Sequence, residues 1–221
     1  MNDTKSEGAR PYHHGALKAA LLEASERILE EEGIGGLTLR AAARAAGASH
    51  AAPKNHFDDL TGLLSELAAV GFRRFASQLA AARDAAGADP GERLVAIGRA
   101  YVTFARANPG LFQLMFRGER LDSERPALRA ALDEAGAVLQ TAVGAVSGQA
   151  ATPALDLPMA GRMVGAWALV HGFAMLLLDG RLDPVLARLP AGTSATDLLA
   201  AVLEAGPPAC PPGSSARTSG T

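Results

Sequence analysis

The sequence predicts an all-α protein, and three observations lead there. Alanine dominates a composition that is 48% apolar but only 5% aromatic, which favours helices over a sheet. Apolar residues recur at three- and four-residue spacing through the long segments, the period of one helical face. Glycine and proline clusters, such as Gly33-Ile34-Gly35-Gly36 and Gly87-Ala88-Asp89-Pro90-Gly91, fall between those segments.

Met1–Arg10 is polar with no apolar stretch behind it, so a tail is expected there and no signal peptide. From about Ala16 to Glu32, Leu17, Ala20, Leu21, Ala24 and Ile28 share one face of a long amphipathic helix, which Gly33 is expected to end. Leu37–Phe57 reads as a short helix, a glycine turn and a second short helix. The Thr38 hydroxyl suits an N-cap ahead of Leu39, Ala42, Ala43 and Ala46, which form one small apolar face. Gly47 suits the left-handed position that closes such a helix. Ser49 is expected to cap the second helix, with Pro53 about one turn inside it, where its missing N–H costs little. That helix carries donors and acceptors at Ser49, His50, Lys54, Asn55 and His56, around the thin residues Ala51 and Ala52. A polar, slender helix of this kind can enter a major groove and bring side chains to base edges. The pattern is a helix-turn-helix; the competing reading is an ordinary αα-hairpin inside a bundle.

A fourth helix is expected from about Asp59 to Arg83, with Leu63, Leu64, Leu67, Val70 and Phe75 inward and Arg73, Arg74 and Gln78 outward. Glu92–Ala107 carries Leu94, Ile97, Tyr101 and Phe104 on one face. Asn108-Pro109 opens a short helix, Gly110–Phe116, and Arg117–Pro126 is a charged loop. Ala127–Val146 is a long helix with Leu128, Leu132, Ala135, Val138, Leu139 and Val143. Leu157–Asp179 has two stripes, Gly161, Gly165, Ala168 and Gly172 beside Val164, Trp167, His171, Ala174 and Leu178, which predict a buried helix. Thr193–Glu204 is the last helix, and Gly206–Thr221 is a low-complexity tail expected to be disordered.

Charge and cysteine usage narrow the function. Residues 1–60 hold seven cations and nine carboxylates, a balance of −2 that counts against a nucleic-acid module. The distribution counts for one: Thr38–Phe57 contains the cations Arg40, Arg44 and Lys54 and no carboxylate. The single cysteine, Cys210, permits no disulfide within the chain, so a reducing cytoplasm is expected. The longest apolar run, Met163–Leu178, is sixteen residues, short of the roughly twenty a bilayer needs, so no membrane span is expected. No nucleophile has a base near it, no phosphate loop appears, and Gly33–Gly36 lacks dinucleotide-loop spacing. His13-His14 reads as polar surface rather than a metal site. An enzyme, a cofactor and a metal are therefore not expected.

Tyr12–Ser25, Gly33–Phe57 and Leu63–Ala68 together resemble the tetracycline-repressor-like (TetR) family of transcriptional regulators in order and spacing. Trp167-Ala-Leu-Val-His171-Gly172 resembles the family's subgroup with a Trp-x-x-x-His-Gly motif in its C-terminal domain. The resemblance implies a homeodomain-like three-helix DNA-binding domain at 1–60, a ligand-binding and dimerisation domain at 61–205 and a tail at 206–221. It implies DNA contacts at Thr38, Ser49, His50, Ala52 and His56; the residues themselves add Arg40, Lys54 and Asn55, with Arg10 and the Tyr12–His13 helix start as further candidates for phosphate. Two positions depart from the family: Lys54 stands where tyrosine is usual, and Leu60 where lysine is usual. Lys54 can replace a phosphate hydrogen bond by a charge contact, whereas Leu60 cannot replace a lysine.

The resemblance further implies a ligand pocket, for which Tyr101, Phe104, Phe112, Met115, Phe116, Trp167, His171 and Met175 are the candidates. Aromatic and methionine walls with a few polar tips suit a small apolar effector, but the same residues also suit an ordinary core. The last two long helices are expected to form a homodimer interface, the alternative being packing within one subunit. The expected function is a ligand-responsive regulator, most simply a repressor, that binds a palindromic double-stranded operator. The alternative is a dimeric helical ligand-binding or interaction protein with weakened DNA affinity.

Overall fold

A computed structural model describes residues 14–149 and 155–205. Arg10, Tyr12 and His13, and with His13 the metal candidate at His13–His14, lie outside the described residues, as does the tail with Cys210. Every regular element among the described residues is helical: α1 His14–Gly36, α2 Leu39–Ala45, α3 Ala52–Phe57, α4 Leu60–Ala85, α5 Pro90–Ala107, α6 Pro109–Met115, a 3-10 turn Gly118–Arg120, α7 Pro126–Val146, α8 Leu157–Leu178, α9 Asp183–Leu186 and α10 Ala195–Ala205. The expected all-α class holds. The described chain divides into two compact units, one running to Gln78 and joined by Ala107–Val138, the other Leu79–Arg106 with the residues from Leu139 onward.

In the first unit α1 packs on α2, α3 and α6. Leu21, Leu29, Leu37, Phe57, Leu63 and Leu67 are fully buried there. Each such side chain contributes roughly 1.5–3 kcal/mol relative to exposure. The buried Ser25 hydroxyl donates to the Leu21 carbonyl at 2.7 Å, so it brings no orphan into the core. Glu30 of α1 accepts the Gly110 and Leu111 N–H groups at 3.0 and 2.9 Å and so caps α6. The cap is needed, because Asn108 at the N-cap position makes no side-chain cap bond. Gly71 lets α4 and α6 meet, since a Cβ there would lie 2.7 Å from Met115 Sδ.

Of the expected boundaries one holds and one differs for a physical reason. Gly33 ends the regular part of α1, as expected: it takes φ 70, ψ −177, which is not helical, and a short further turn runs on to Gly36. α3 begins at Ala52, not Ser49, and its N-cap is Ala51 with no side-chain bond. Ser49 serves the turn through its carbonyl, which accepts the Ala52 N–H at 3.0 Å, and Pro53 occupies the first helical turn. The charged loop before α7 contains the 3-10 turn.

In the second unit α5, α8 and α10 meet at Gly98, where an added Cβ would lie 3.1 Å from Leu203 and 3.2 Å from Val170. The Asp156 carboxylate caps α8 by accepting the Met159 N–H at 2.7 Å. Met159, Val170, Phe173 and Ala174 form the buried face of α8. The expectation that α8 is buried is otherwise corrected: Leu157 is 85% exposed, Val164 58% and Trp167 43%. Its apolar residues run around the helix, while one chain covers one side. By length and mean hydropathy, 1.4, α8 could also cross a membrane. Arg162 lies in its second turn, and its Val170 packs beside Gly98 of α5.

Candidate functional site

Two sets of residues carry the chemistry. The first is the helix-turn-helix, which lies wholly in the first unit. Thr38 Oγ1 accepts the Ala41 N–H at 3.1 Å and starts α2. Gly47 holds φ 64 after α2, a conformation glycine adopts without a Cβ penalty. Ala42 and Ala43 are completely buried, so α2 has little more than backbone to fit beneath its neighbours. Ser49, His50, Ala51, Lys54 and Asn55 are exposed, as are Thr38, Arg40 and Arg44. His56 is half-buried, its ring centroid 6.1 Å from that of Phe57. Ala52 is 7% exposed and sits on the packed side of α3 with Pro53 and Phe57. The structure thus brings Ser49, His50, Lys54 and Asn55 to the open side and turns Ala52 inward. The exposed cations of this region have no acid among them from Thr38 to Phe57.

The junction between α3 and α4 adds residues that sequence reasoning missed. Asp59 Oδ1 accepts the Gly62 N–H at 2.8 Å, so this amide in the first turn of α4 already has a carboxylate. Leu60 is half-buried at the start of α4. Asp58 closes α3 with φ 68, ψ −57, the one positive φ at a non-glycine among the described residues. Arg125, from the loop before α7, donates to the Phe57 carbonyl at 2.9 Å and to Asp58 Oδ2 at 2.6 Å. In the sequence Arg125 is one charge in a charged loop; nothing local marks its partner 67 residues away.

The second set lies in the second unit. Trp167 Nε1–H donates to Tyr101 Oη at 3.2 Å, and Tyr101 Oη lies 2.8 Å from His171 Nδ1. The indole can only donate, and the Tyr101–His171 bond runs from the phenol or from the ring according to the His171 tautomer. Burial pulls the His171 pKa below its usual value, in keeping with a neutral ring. Burial also pushes the Tyr101 phenol up, against a smaller lowering by the Trp167 bond. Trp167 and His171 are one turn apart on α8, ring centroids 5.9 Å apart, and α5 delivers Tyr101 to both. Phe104 is buried on the same α5, and Met175 is half-buried one turn beyond His171.

The remaining pocket candidates fall in the first unit. Phe112 and Phe116 pack at 4.9 Å between ring centroids, Phe72 lies 5.6 Å from Phe116, and Met115 lies against Gly71. The eight expected lining residues therefore divide between two units, and the structure joins Tyr101, Trp167 and His171 directly.

Residues 94–202 match the family described as "Tetracyclin repressor-like, C-terminal domain". No curated protein matches the chain. Among solved structures, a protein of unknown function from Rhodococcus sp. RHA1 is 32% identical. The match covers 89% of this chain and 96% of that one, with a TM-score of 0.70. A TetR family transcriptional regulator, PfmR from Thermus thermophilus, shares the fold at 22% identity and a TM-score of 0.56, over 83% of this chain and 94% of that one. A bacterial regulatory protein of the TetR family from Rhodococcus RHA1 does so at 17% identity and 0.58, over 86% and 94%. With the family's C-terminal domain at residues 94–202 and the fold of its regulators along most of its length, the chain belongs to the tetracycline-repressor-like family.

Proposed function

We propose that this protein is a sequence-specific DNA-binding transcriptional regulator, a ligand-responsive repressor that acts as a homodimer in the cytoplasm. The observation that carries the reading is the open side of the helix-turn-helix, where His50 and Asn55 are free of packing and Lys54 adds charge. Asn and His reach base edges, Lys a phosphate. Residues 1–60 form the reading module in this proposal, and 61–205 the ligand and dimer module. The effector is a small apolar molecule with a polar tip that meets the Tyr101–Trp167–His171 cluster, the Trp-x-x-x-His-Gly motif of the subgroup. No cofactor enters.

The homodimer rests on α8 and α10. Gly161, Gly165 and Ala168 are exposed, and a Cβ at Gly161, Gly165 or Gly172 would meet nothing within the chain. Exposed Val164 and Leu157 flank this stripe. A second copy would cover it, as small residues let two helices approach closely. Two heads then read half-sites about 34 Å apart. An effector that binds better to a conformation with its heads out of that register shifts the population off the operator.

Selection of duplex DNA from a random pool by the purified protein tests the reading. A palindromic site bound by the dimer is expected; a dimer that enriches no sequence would sink it. The second reading, a dimeric helical ligand-binding or interaction protein with weak DNA affinity, is favoured by one feature. Asp58 and Asp59 stand where α4 begins, and Asp59 already occupies the Gly62 amide.

A further inference from the structure

We propose that Arg125 is a latch through which the loop before α7 holds the C-terminal end of the reading helix in its DNA-competent position. The inference rests on the DNA-binding reading above and adds a positioning residue to it.

The geometry is specific. Arg125 stands at two helix ends at once. Its carbonyl accepts the Leu128 and Arg129 N–H groups at 3.0 Å and so starts α7, while its guanidinium holds the last turn of α3. The Phe57 carbonyl has no partner within α3 and accepts the Asp59 N–H at 2.8 Å beside the guanidinium, and a cation there also meets the negative end of the helix dipole. Asp58, the other acceptor, is 84% exposed and holds a positive φ of 68 with ψ −57, a backbone uncommon outside glycine. Such a conformation persists where its surroundings over-determine it, and Arg125 is the cation bonded to it.

The fold makes room for this contact. A Cβ at Gly62 would collide with both the Phe57 carbonyl and the Arg125 guanidinium, so only glycine admits the arginine here. The loop is pinned beside it, as the Asp122 N–H donates to Ser65 Oγ at 2.8 Å. Glu66 on α4 lies 3.8 Å from Arg125 Nη1 and 2.9 Å from Lys18 of α1. Arg125 therefore ties together α3, α4 and α7.

α7 is the element that would work the latch. It continues from Arg125 for 21 residues and ends in the second unit, at Val146. At 1.5 Å per residue it spans about 31 Å. A rotation or slide of α7 moves the Arg125 backbone and withdraws the guanidinium. Withdrawal does two things. It loosens the end of α3, five residues or fewer from Lys54, Asn55 and His56. It also leaves the Asp58 charge without its cation next to the reading helix, which disfavours a phosphate backbone.

The test uses the full chain and the DNA sites that the wild-type protein itself selects. Wild type, Arg125→Gln, Arg125→Lys, Asp58→Asn and the Arg125→Gln/Asp58→Asn double variant are compared for operator affinity at fixed salt. Amide hydrogen exchange over residues 52–62 is read without DNA. Arg125→Gln should weaken binding about tenfold, the scale of one lost charge-assisted hydrogen bond. It should also speed exchange over 52–62. Arg125→Lys should recover part of both effects, and Arg125→Gln should matter less in the Asp58→Asn background. A brace that only stabilises the fold would lower the melting midpoint and leave the affinity of the folded protein unchanged, and that outcome overturns the proposal. So does unchanged exchange, or Arg125 and Asp58 effects that simply add. If Arg125→Gln does not fold, Arg125→Lys carries the same comparison. Failure of the wild type to select DNA sinks the DNA reading, whereas wild-type-like exchange in a folded Arg125 variant sinks the latch.

Discussion

Replacing Tyr101 by phenylalanine removes one oxygen from the centre of the second unit and little else. The ring volume is conserved, so no cavity term enters. The hydroxyl makes two bonds, one received from Trp167 at 3.2 Å and one shared with His171 at 2.8 Å. Each is worth about 0.5–1.5 kcal/mol net, which sets the expected loss at about 1–3 kcal/mol. The lower half is favoured at the indole, since Trp167 is 43% exposed and water can take the place of the phenol. Trp167 is the only tryptophan of the chain, so its fluorescence in a urea titration reports on this cluster alone.

The pH dependence gives a second readout with a definite sign. In the native state burial holds His171 below its usual 6.5, so the unfolded chain binds the extra proton first. Stability is therefore lost as pH falls from about 6.5 through the native pKa. At the other end the native Tyr101 pKa is raised above its usual 10.0, so stability should fall as pH climbs past that value. Tyr101→Phe should lack that component. An unchanged urea midpoint together with an unchanged alkaline limb would refute the cluster as drawn.

Three further outcomes are expected. Lys54→Ala should weaken binding to all duplexes alike and lower the salt slope by about one, measured by titration of a labelled operator at several salt concentrations; an unchanged slope would remove Lys54 from the phosphate contacts. Leu60→Lys should tighten binding at low salt, with a slope steeper by about 0.9, because residue 60 is only half-buried at the start of α4. No tightening would mean that Asp59, already on the Gly62 amide, keeps phosphate away. Gly165→Leu should leave the monomer folded, since a Cβ there meets nothing, yet cost about 1–3 kcal/mol at a tightly packed dimer interface. Sedimentation decides it: an unchanged dimer would place the interface elsewhere.

The helices themselves were legible because their signals are local. Leu63, Leu64, Leu67 and Phe75 recur at helical spacing and are all buried in α4. The turn of the helix-turn-helix was legible for the same reason: Thr38 caps its own helix three residues on, and Gly47 takes the left-handed conformation. The misplaced boundary arose where two local signals compete. Ser49 can cap with its hydroxyl or turn with its carbonyl. The side of α3 that each residue faces was only partly legible. Ala52 is buried and Lys54 exposed, a choice made by what packs beneath α3 rather than by the residue types.

By itself the sequence determined the all-helical class, the position of the helix-turn-helix and the family, because periodicity, caps and turn residues act within a few positions of one another. Tertiary structure alone decided that Tyr101 meets Trp167 and His171 across about seventy positions, that Glu30 caps a helix 80 residues on, and that Arg125 closes on the end of α3. It also decided that α8 leaves an apolar side exposed, although its composition reads as that of a buried helix. The physical reason is common to all four. A side chain's partner, or its lack of cover, depends on how helices pack in space, and no spacing along one helix encodes where another will lie.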